Sequence, residues 1–332
     1  MTDIASQYRI TAEGAGWALK TGRGSLRFDG RDRLTFLQAL VSNDVDSLDE
    51  GRGVYAVYLT PQGRMLADMR LYHRGDHLLA DVPAGEAAAL AARLDGLIFT
   101  EDVRVADVSA ILRRLTVVGT TAGAVIARAF SIDAERVRAL AVLSQLSVPG
   151  GFIVRTDDAD RPSFDVFIDS GGDAGGEARV VEGLEAAGAV AISPDVVEVL
   201  RIEAGRPAFG RDMTLETIPL EAGLLDRAIS TTKGCYVGQE VIVRVLHRGG
   251  GRVVKRLVKL SLARASGVEF TPGAAIFDNG RNVGALTSVA FSPAQDRFVA
   301  LGYVHRDSAE PGRSLTVGES QGTAAEIAGF AG

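Results

Sequence analysis

The sequence predicts an α+β protein of two or three domains with a strand-rich C-terminal end. Three observations lead there. The chain has 332 residues, too many for one ordinary hydrophobic core. Its first third alternates strand-like runs and turns before an alanine- and leucine-rich helix, a pattern that lays helices on one face of an antiparallel sheet. After residue 240 short strand-like runs separated by turn residues take over, the spacing of a small barrel or sandwich.

Taken in order, residues 32–42 place Leu34, Leu37 and Val41 on one helical face with Phe36 and Leu40 beside it, and Asp32 as the N-cap. Residues 53–59 and 64–73 read as strands joined by the turn Thr60-Pro61-Gln62-Gly63. A turn at Arg74-Gly75-Asp76 leads to a strand over 77–82 and a helix over 84–95. Further strands are expected at 115–118, 152–155 and 164–168, and helices at 122–129, 177–187 and 194–203. The stretches 156–163 and 170–176 are loops by composition. Barrel strands are expected at 252–262, 273–278, 281–290 and 297–303, with Asp278-Asn279-Gly280 as a hairpin signal.

Bulk composition narrows the function. Hydrophobic residues make up 46% and charged residues 23%, ordinary for a globular protein. A net charge of −6 argues against a dedicated nucleic-acid binder. The single cysteine excludes an internal disulfide and fits a reducing compartment. The four histidines lack metal-site spacing, so no metal is expected; His73 and His77 flank a turn. No apolar run approaches the ~20 residues that span a bilayer. The N-terminus lacks a secretory pattern, and a cytoplasmic location is the expectation.

Chemistry concentrates in Lys233-Gly234-Cys235-Tyr236-Val237-Gly238-Gln239-Glu240. A lone cysteine is usually a small buried hydrophobe. Core packing, however, does not ask for glycines on both sides of Cys235-Tyr236-Val237 or for a lysine two residues before the thiol. Glycines let a backbone approach a ligand, and a nearby ammonium favours the thiolate. Downstream, Val241–Arg264 holds seven Lys/Arg and no acid: Arg244, Arg248, Arg252, Lys255, Arg256, Lys259 and Arg264. Such a stretch attracts anions, or simply faces water on a strand; aromatic platforms for stacked bases are absent from it.

Lys-Gly-Cys-Tyr-x-Gly-Gln-Glu resembles the signature of the YgfZ folate-binding family, related to the aminomethyltransferase (T-protein) of the glycine cleavage system. Three more segments carry the resemblance: Phe36-Leu37-Gln38-Ala39-Leu40-Val41-Ser42-Asn43-Asp44-Val45, Leu200-Arg201-Ile202-Glu203-Ala204-Gly205-Arg206-Pro207, and Ile218-Pro219-Leu220-Glu221-Ala222-Gly223-Leu224. The similarity runs from about residue 25 to the C-terminus.

The resemblance implies a three-domain ring around a central folate cavity, with two interleaved α+β domains over residues 1–114 and 115–244 and a small β-barrel over 245–332. It implies tetrahydrofolate or a one-carbon derivative as cofactor, and a role in assembling or repairing iron–sulfur clusters. The partners would be iron–sulfur client or assembly proteins, with no nucleic acid and no membrane. The alternatives are a folate-dependent aminomethyl transferase and a non-catalytic folate-binding regulator. Cys235, Lys233 and Asp68 are the expected catalytic set; Glu203, Tyr236, Gln239 and Arg227 are expected to bind the cofactor. Glu203 suits a pterin edge, because a carboxylate accepts two parallel N–H bonds. The folate's glutamate tail would suit the basic stretch. In the aminomethyltransferase a Gly-x-x-x-Asp-Asp run supplies the aspartate near the folate's reactive nitrogen. Here that run is Gly63-Arg64-Met65-Leu66-Ala67-Asp68, with alanine in place of the first aspartate.

Overall fold

The computed structural model describes residues 3–171, 175–247, 250–264, 270–318 and 322–332, and divides into two units. The first holds residues 1–56 and 67–197, the second 57–66 and 198–332. Mixed α/β structure with a closed six-stranded barrel at the C-terminal end is the observed architecture.

The first unit opens with α1 (Ile4–Glu13), β1 (Ala15–Leu19), β2 (Arg23–Asp29) and α2 (Arg33–Leu40). The hairpin β3 (Gly53–Leu59) and β4 (Met65–His73) follows, with its tip assigned to the second unit. Then come β5 (Leu78–Pro83), α3 (Ala87–Asp95), β6 (Arg104–Asp107), β7 (Leu112–Val118), α4 (Ala122–Ala129) and α5 (Ala134–Arg138). The unit ends through β8 (Gln145–Val148), β9 (Gly151–Thr156), β10 (Ser163–Asp169), α6 (Gly176–Ala186), β11 (Ala189–Ala191) and the start of α7 (Pro194–Glu203). Two sheets result, ordered β3-β4-β5-β2-β6 and β11-β1-β7-β10-β9-β8.

Strand alternation sorts the second sheet's side chains. Phe164, Val166 and Ile168 on β10, with Leu115 and Val117 on β7, join Val125, Ile126 and Leu184 of α4 and α6 in one buried core. The opposite parity holds Asp165, Phe167, Arg114 and Thr116. There Phe167 packs with Phe152, Val154 and the first sheet's Tyr72 and Leu79.

The same side carries a chain of buried charges. Arg23 bonds Asp68 and Asp81 at 2.7 Å each. Arg114 lies 2.8 Å from Asp81, and Arg70 lies 3.7 Å from Asp81 and 2.6 Å from Asp158. Lys20 holds Asp158 and Asp165 at 2.9 Å each. Cations Lys20, Arg23, Arg70 and Arg114 match anions Asp68, Asp81, Asp158 and Asp165 one for one. Burial pushes the Asp81 carboxyl up, but Arg114, Arg23 and Arg70 outweigh it and hold it well below the usual carboxylate range.

The second unit adds α8 (Leu225–Ala228), α9 (Gln239–His247) and the strands β12 (Lys255–Leu262), β13 (Ala275–Asp278), β14 (Arg281–Ser292), β15 (Arg297–His305), β16 (Ser314–Val317) and β17 (Thr323–Phe330). The barrel runs β12-β15-β14-β13-β16-β17 and closes through β12 and β17. Val258, Leu260 and Leu262 point into it, with Ile276, Leu286 and Val304. Leu257, of the other parity, meets Ile202 of α7, so the helix end covers the barrel's outer wall. Among the described residues no helix is long and apolar enough to cross a membrane.

One local expectation is corrected, and another falls partly outside the described residues. Asp32 makes no cap bond with its side chain; its Oδ2 accepts from the Asp102 amide instead. The Ser170–Gly176 loop is described only in part, residues 172–174 lying outside the described ones.

Candidate functional site

The Cys235 segment is a loop between α8 and α9 in the second unit. Ser230 starts it: its Oγ accepts from the Lys233 amide at 3.1 Å, a turn that serine readily makes. Cys235 is exposed. Tyr236 is buried, and burial pushes its phenol up to about 12. The Lys233 ammonium lies 5.2 Å from the centre of the Tyr236 ring, a cation–π contact. Gln239 starts α9, its amide bonded to the Tyr236 carbonyl at 3.2 Å.

The two glycines of the motif have different reasons. Gly238 has φ +82°, and a Cβ there would lie 2.5 Å from the Thr60 carbonyl and 2.9 Å from Leu59 Cβ. It therefore seats the loop against the β3–β4 hairpin tip. At Gly234 a Cβ would meet nothing within 4 Å, so neither φ nor crowding demands a glycine. The backbone beside Cys235 is open.

Glu203 ends α7, half-buried, and its Oε1 accepts the Ser292 hydroxyl of β14. Two residues earlier Arg201 spans Glu198, at 2.6 Å, and Asp212, at 2.7 Å, and donates to Ser288 at 2.8 Å. Asp212 also accepts from Thr287 and Ser288. This buried set fixes the helix end to the barrel wall and so orients Glu203. Gly223, φ +75°, lets the Glu221-Ala222-Gly223 turn touch Ala331, whose carbonyl a Cβ would reach at 2.0 Å. Arg227 is half-buried on α8.

Asp68 belongs to the first unit. It is buried, with Oδ1 bonded to Arg23 and Oδ2 accepting from the Tyr55 hydroxyl at 3.1 Å. Ala67 beside it is fully buried. The Gln38…Asn43-Asp44-Val45 opening is likewise a set of internal bonds: Gln38 donates to Asp44 and accepts from the Val45 amide, and Asn43 donates to the Tyr55 carbonyl.

The basic stretch is not one surface. Arg244 pairs with Glu240 on α9, and Arg264 with Asp296. Lys255 lies over Tyr303 and Arg256 over Phe330, on opposite parities of β12. Arg248 lies outside the described residues. Sequence reasoning missed Ser292, Arg201 and Asp212 as partners of the Glu203 region, since contacts between distant segments leave no local pattern.

Two family models cover most of this chain: the GCVT N-terminal domain over residues 2–233, and the glycine cleavage T-protein C-terminal barrel domain over residues 255–328. The chain belongs to the glycine cleavage T-protein family. It is 28% identical over 312 residues to a putative chloroplastic transferase of Arabidopsis thaliana, across 89% of this chain but only 66% of that protein. With an aminomethyltransferase of Bacillus subtilis it shares 24% identity over 320 residues, across 95% of this chain and 86% of the relative. The glycine cleavage system aminomethyltransferase T from Bartonella henselae has the same fold, with a TM-score of 0.84 at 22% identity, covering 98% and 88% of the two chains.

Proposed function

We propose that the protein binds tetrahydrofolate and acts as a folate-dependent one-carbon transferase. The observation that carries this is the family match over residues 2–233, joined by relatives named aminomethyltransferase that align with nearly the whole chain. The residues fit the ligand's chemistry. The Glu203 carboxylate, which accepts the Ser292 hydroxyl, is the type of group that takes charge-assisted bonds from the N–H edge of a pterin. Arg227, Tyr236 and Gln239 would complete the binding set. The folate, when bound, supplies the carrier of the one-carbon unit. The domain division 1–114, 115–244 and 245–332 is part of the same proposal.

A second reading, YgfZ-like support of iron–sulfur enzymes, is favoured by specific observations. Ala67 stands where the transferase run has an aspartate, and Asp68 is tied to Arg23 and Tyr55, a poor starting point for a base. Cys235 is exposed beside an open glycine. One pair of assays separates the readings. A transferase converts tetrahydrofolate to a one-carbon derivative when supplied with an aminomethyl donor, whatever residue 235 is. An accessory protein restores iron–sulfur enzyme activity to a strain lacking the gene, and Cys235→Ala does not. Restoration by Cys235→Ala would remove the second reading.

A further inference from the structure

The first unit has a cavity of about 330 Å³ bordered by Arg27, Arg74, His77, Leu79, Leu112 and Phe152, with the exposed Asp169 also in its wall, its Oδ1 accepting from the Gly171 amide. That volume matches a small organic ligand. Its basic side chains differ in how they are matched. Arg27 forks onto Asp29 at 2.8–3.0 Å, and His77 Nδ1 lies 2.6 Å from Asp76. Arg74 is half-buried and, among the described residues, makes no ion pair. Its Nη1 donates to Gln145 Oε1 at 2.9 Å and its Nη2 to Ser147 Oγ at 3.2 Å, both neutral.

What fixes Arg74 is a stack. Its guanidinium lies 4.0 Å from the centre of the Phe152 ring. Phe152 stacks on Phe167 at 4.4 Å with planes 8° apart, and Arg114 lies 4.2 Å from Phe167. Arg114 is matched by Asp81; Arg74, at the cavity end, has Glu50 and Asp76 acting on it only from beyond ion-pair distance. A guanidinium partly withdrawn from water without a bonded anion is unfavourable, and burial pulls Arg74 below its ordinary value against the opposing influence of Glu50 and Asp76. Neutral hydrogen bonds and an aromatic face hold it rigid, so a ligand would meet an oriented donor with little ordering cost.

We infer that this cavity is a binding site for a small organic carboxylate, which sets its carboxylate on Arg74 and its apolar body against Leu79, Leu112 and the edge of Phe152. The apolar wall distinguishes such a ligand from inorganic anions. The site lies within the first unit and does not rest on the folate reading.

The test uses the full chain at constant ionic strength and compares benzoate, benzamide and inorganic phosphate by calorimetry or ligand-observed NMR. Benzoate is expected to bind at least tenfold more tightly than benzamide, its neutral isostere, and than phosphate. Arg74→Gln, with an unchanged melting temperature as its folding control, is expected to weaken benzoate at least tenfold and leave benzamide unaffected. Arg74→Lys, which keeps the charge but loses the fork and the stack, should fall between. Equal binding of benzoate and benzamide, benzoate affinity unaltered by Arg74→Gln, or phosphate binding as tightly as benzoate would each overturn the proposal, as would no detectable binding of benzoate.

Discussion

Asp68, at the scale of one residue, is a carboxylate of the expected catalytic set that the fold also ties into its interior. Both oxygens are engaged, and the residue ends a buried chain running through Arg23, Asp81, Arg114, Arg70, Asp158 and Lys20. Removing one member strands its partners in a region from which water is excluded. Asp81→Asn is expected to lower unfolding free energy by about 3–5 kcal/mol, measured by urea titration, because it leaves buried guanidiniums uncompensated. The pH dependence has a definite sign. Asp81 and Asp158 are held below the ordinary aspartate range once the cations overcome burial, so their contribution is fully present above about pH 4. It is lost as pH falls further, toward their folded-state values. Urea midpoints should be level near neutrality and drop below about pH 4, and this drop should be smaller in Asp81→Asn.

The loop and the helix end show the same distinction one scale up. Gly238 and Gly223 are there for contact, Gly234 is not. Gly238→Ala is expected to destabilise by about 1–3 kcal/mol, since it combines a left-handed backbone with a clash against the Thr60 carbonyl. Gly234→Ala should change stability by less than about 0.5 kcal/mol while reducing whatever activity needs close approach to Cys235. Equal losses at both positions would show that the loop's openness has no bearing on function. This contrast also marks what the sequence could reveal. The strands around Thr60-Pro61-Gln62-Gly63, helices 122–129 and 194–203, and the first four barrel strands are legible because their periodicity or turn residues are strong. β17 was not: Thr-Ala-Ala-Glu-Ile-Ala-Gly-Phe is alanine- and glycine-rich, and only closure against β12 makes it a strand. α9 is obscured for a different reason, since the glycine-flanked motif that precedes it has the composition of a loop and runs into its first residues, Gln239 and Glu240.

For the whole molecule, kinship with the glycine cleavage T-protein is readable from short motifs, and the α+β class and the barrel from strand and turn spacing, whereas the site's wiring is not. Arg201, Asp212, Ser288 and Ser292 come from α7, the loop after it and β14, and their joint effect of pinning Glu203 appears only once the barrel wall is folded. The central claim, that the chain binds tetrahydrofolate with Glu203 on the pterin edge, is tested most directly by calorimetric titration of the wild type and Glu203→Ala. One site per chain is expected in the wild type. Loss of the charge-assisted pair should cost about 1.5–3 kcal/mol, or roughly ten- to a hundredfold in affinity, with the melting temperature of the free protein little changed. Tetrahydrofolate affinity that is the same in both proteins, or no saturable binding in the wild type, would contradict the account.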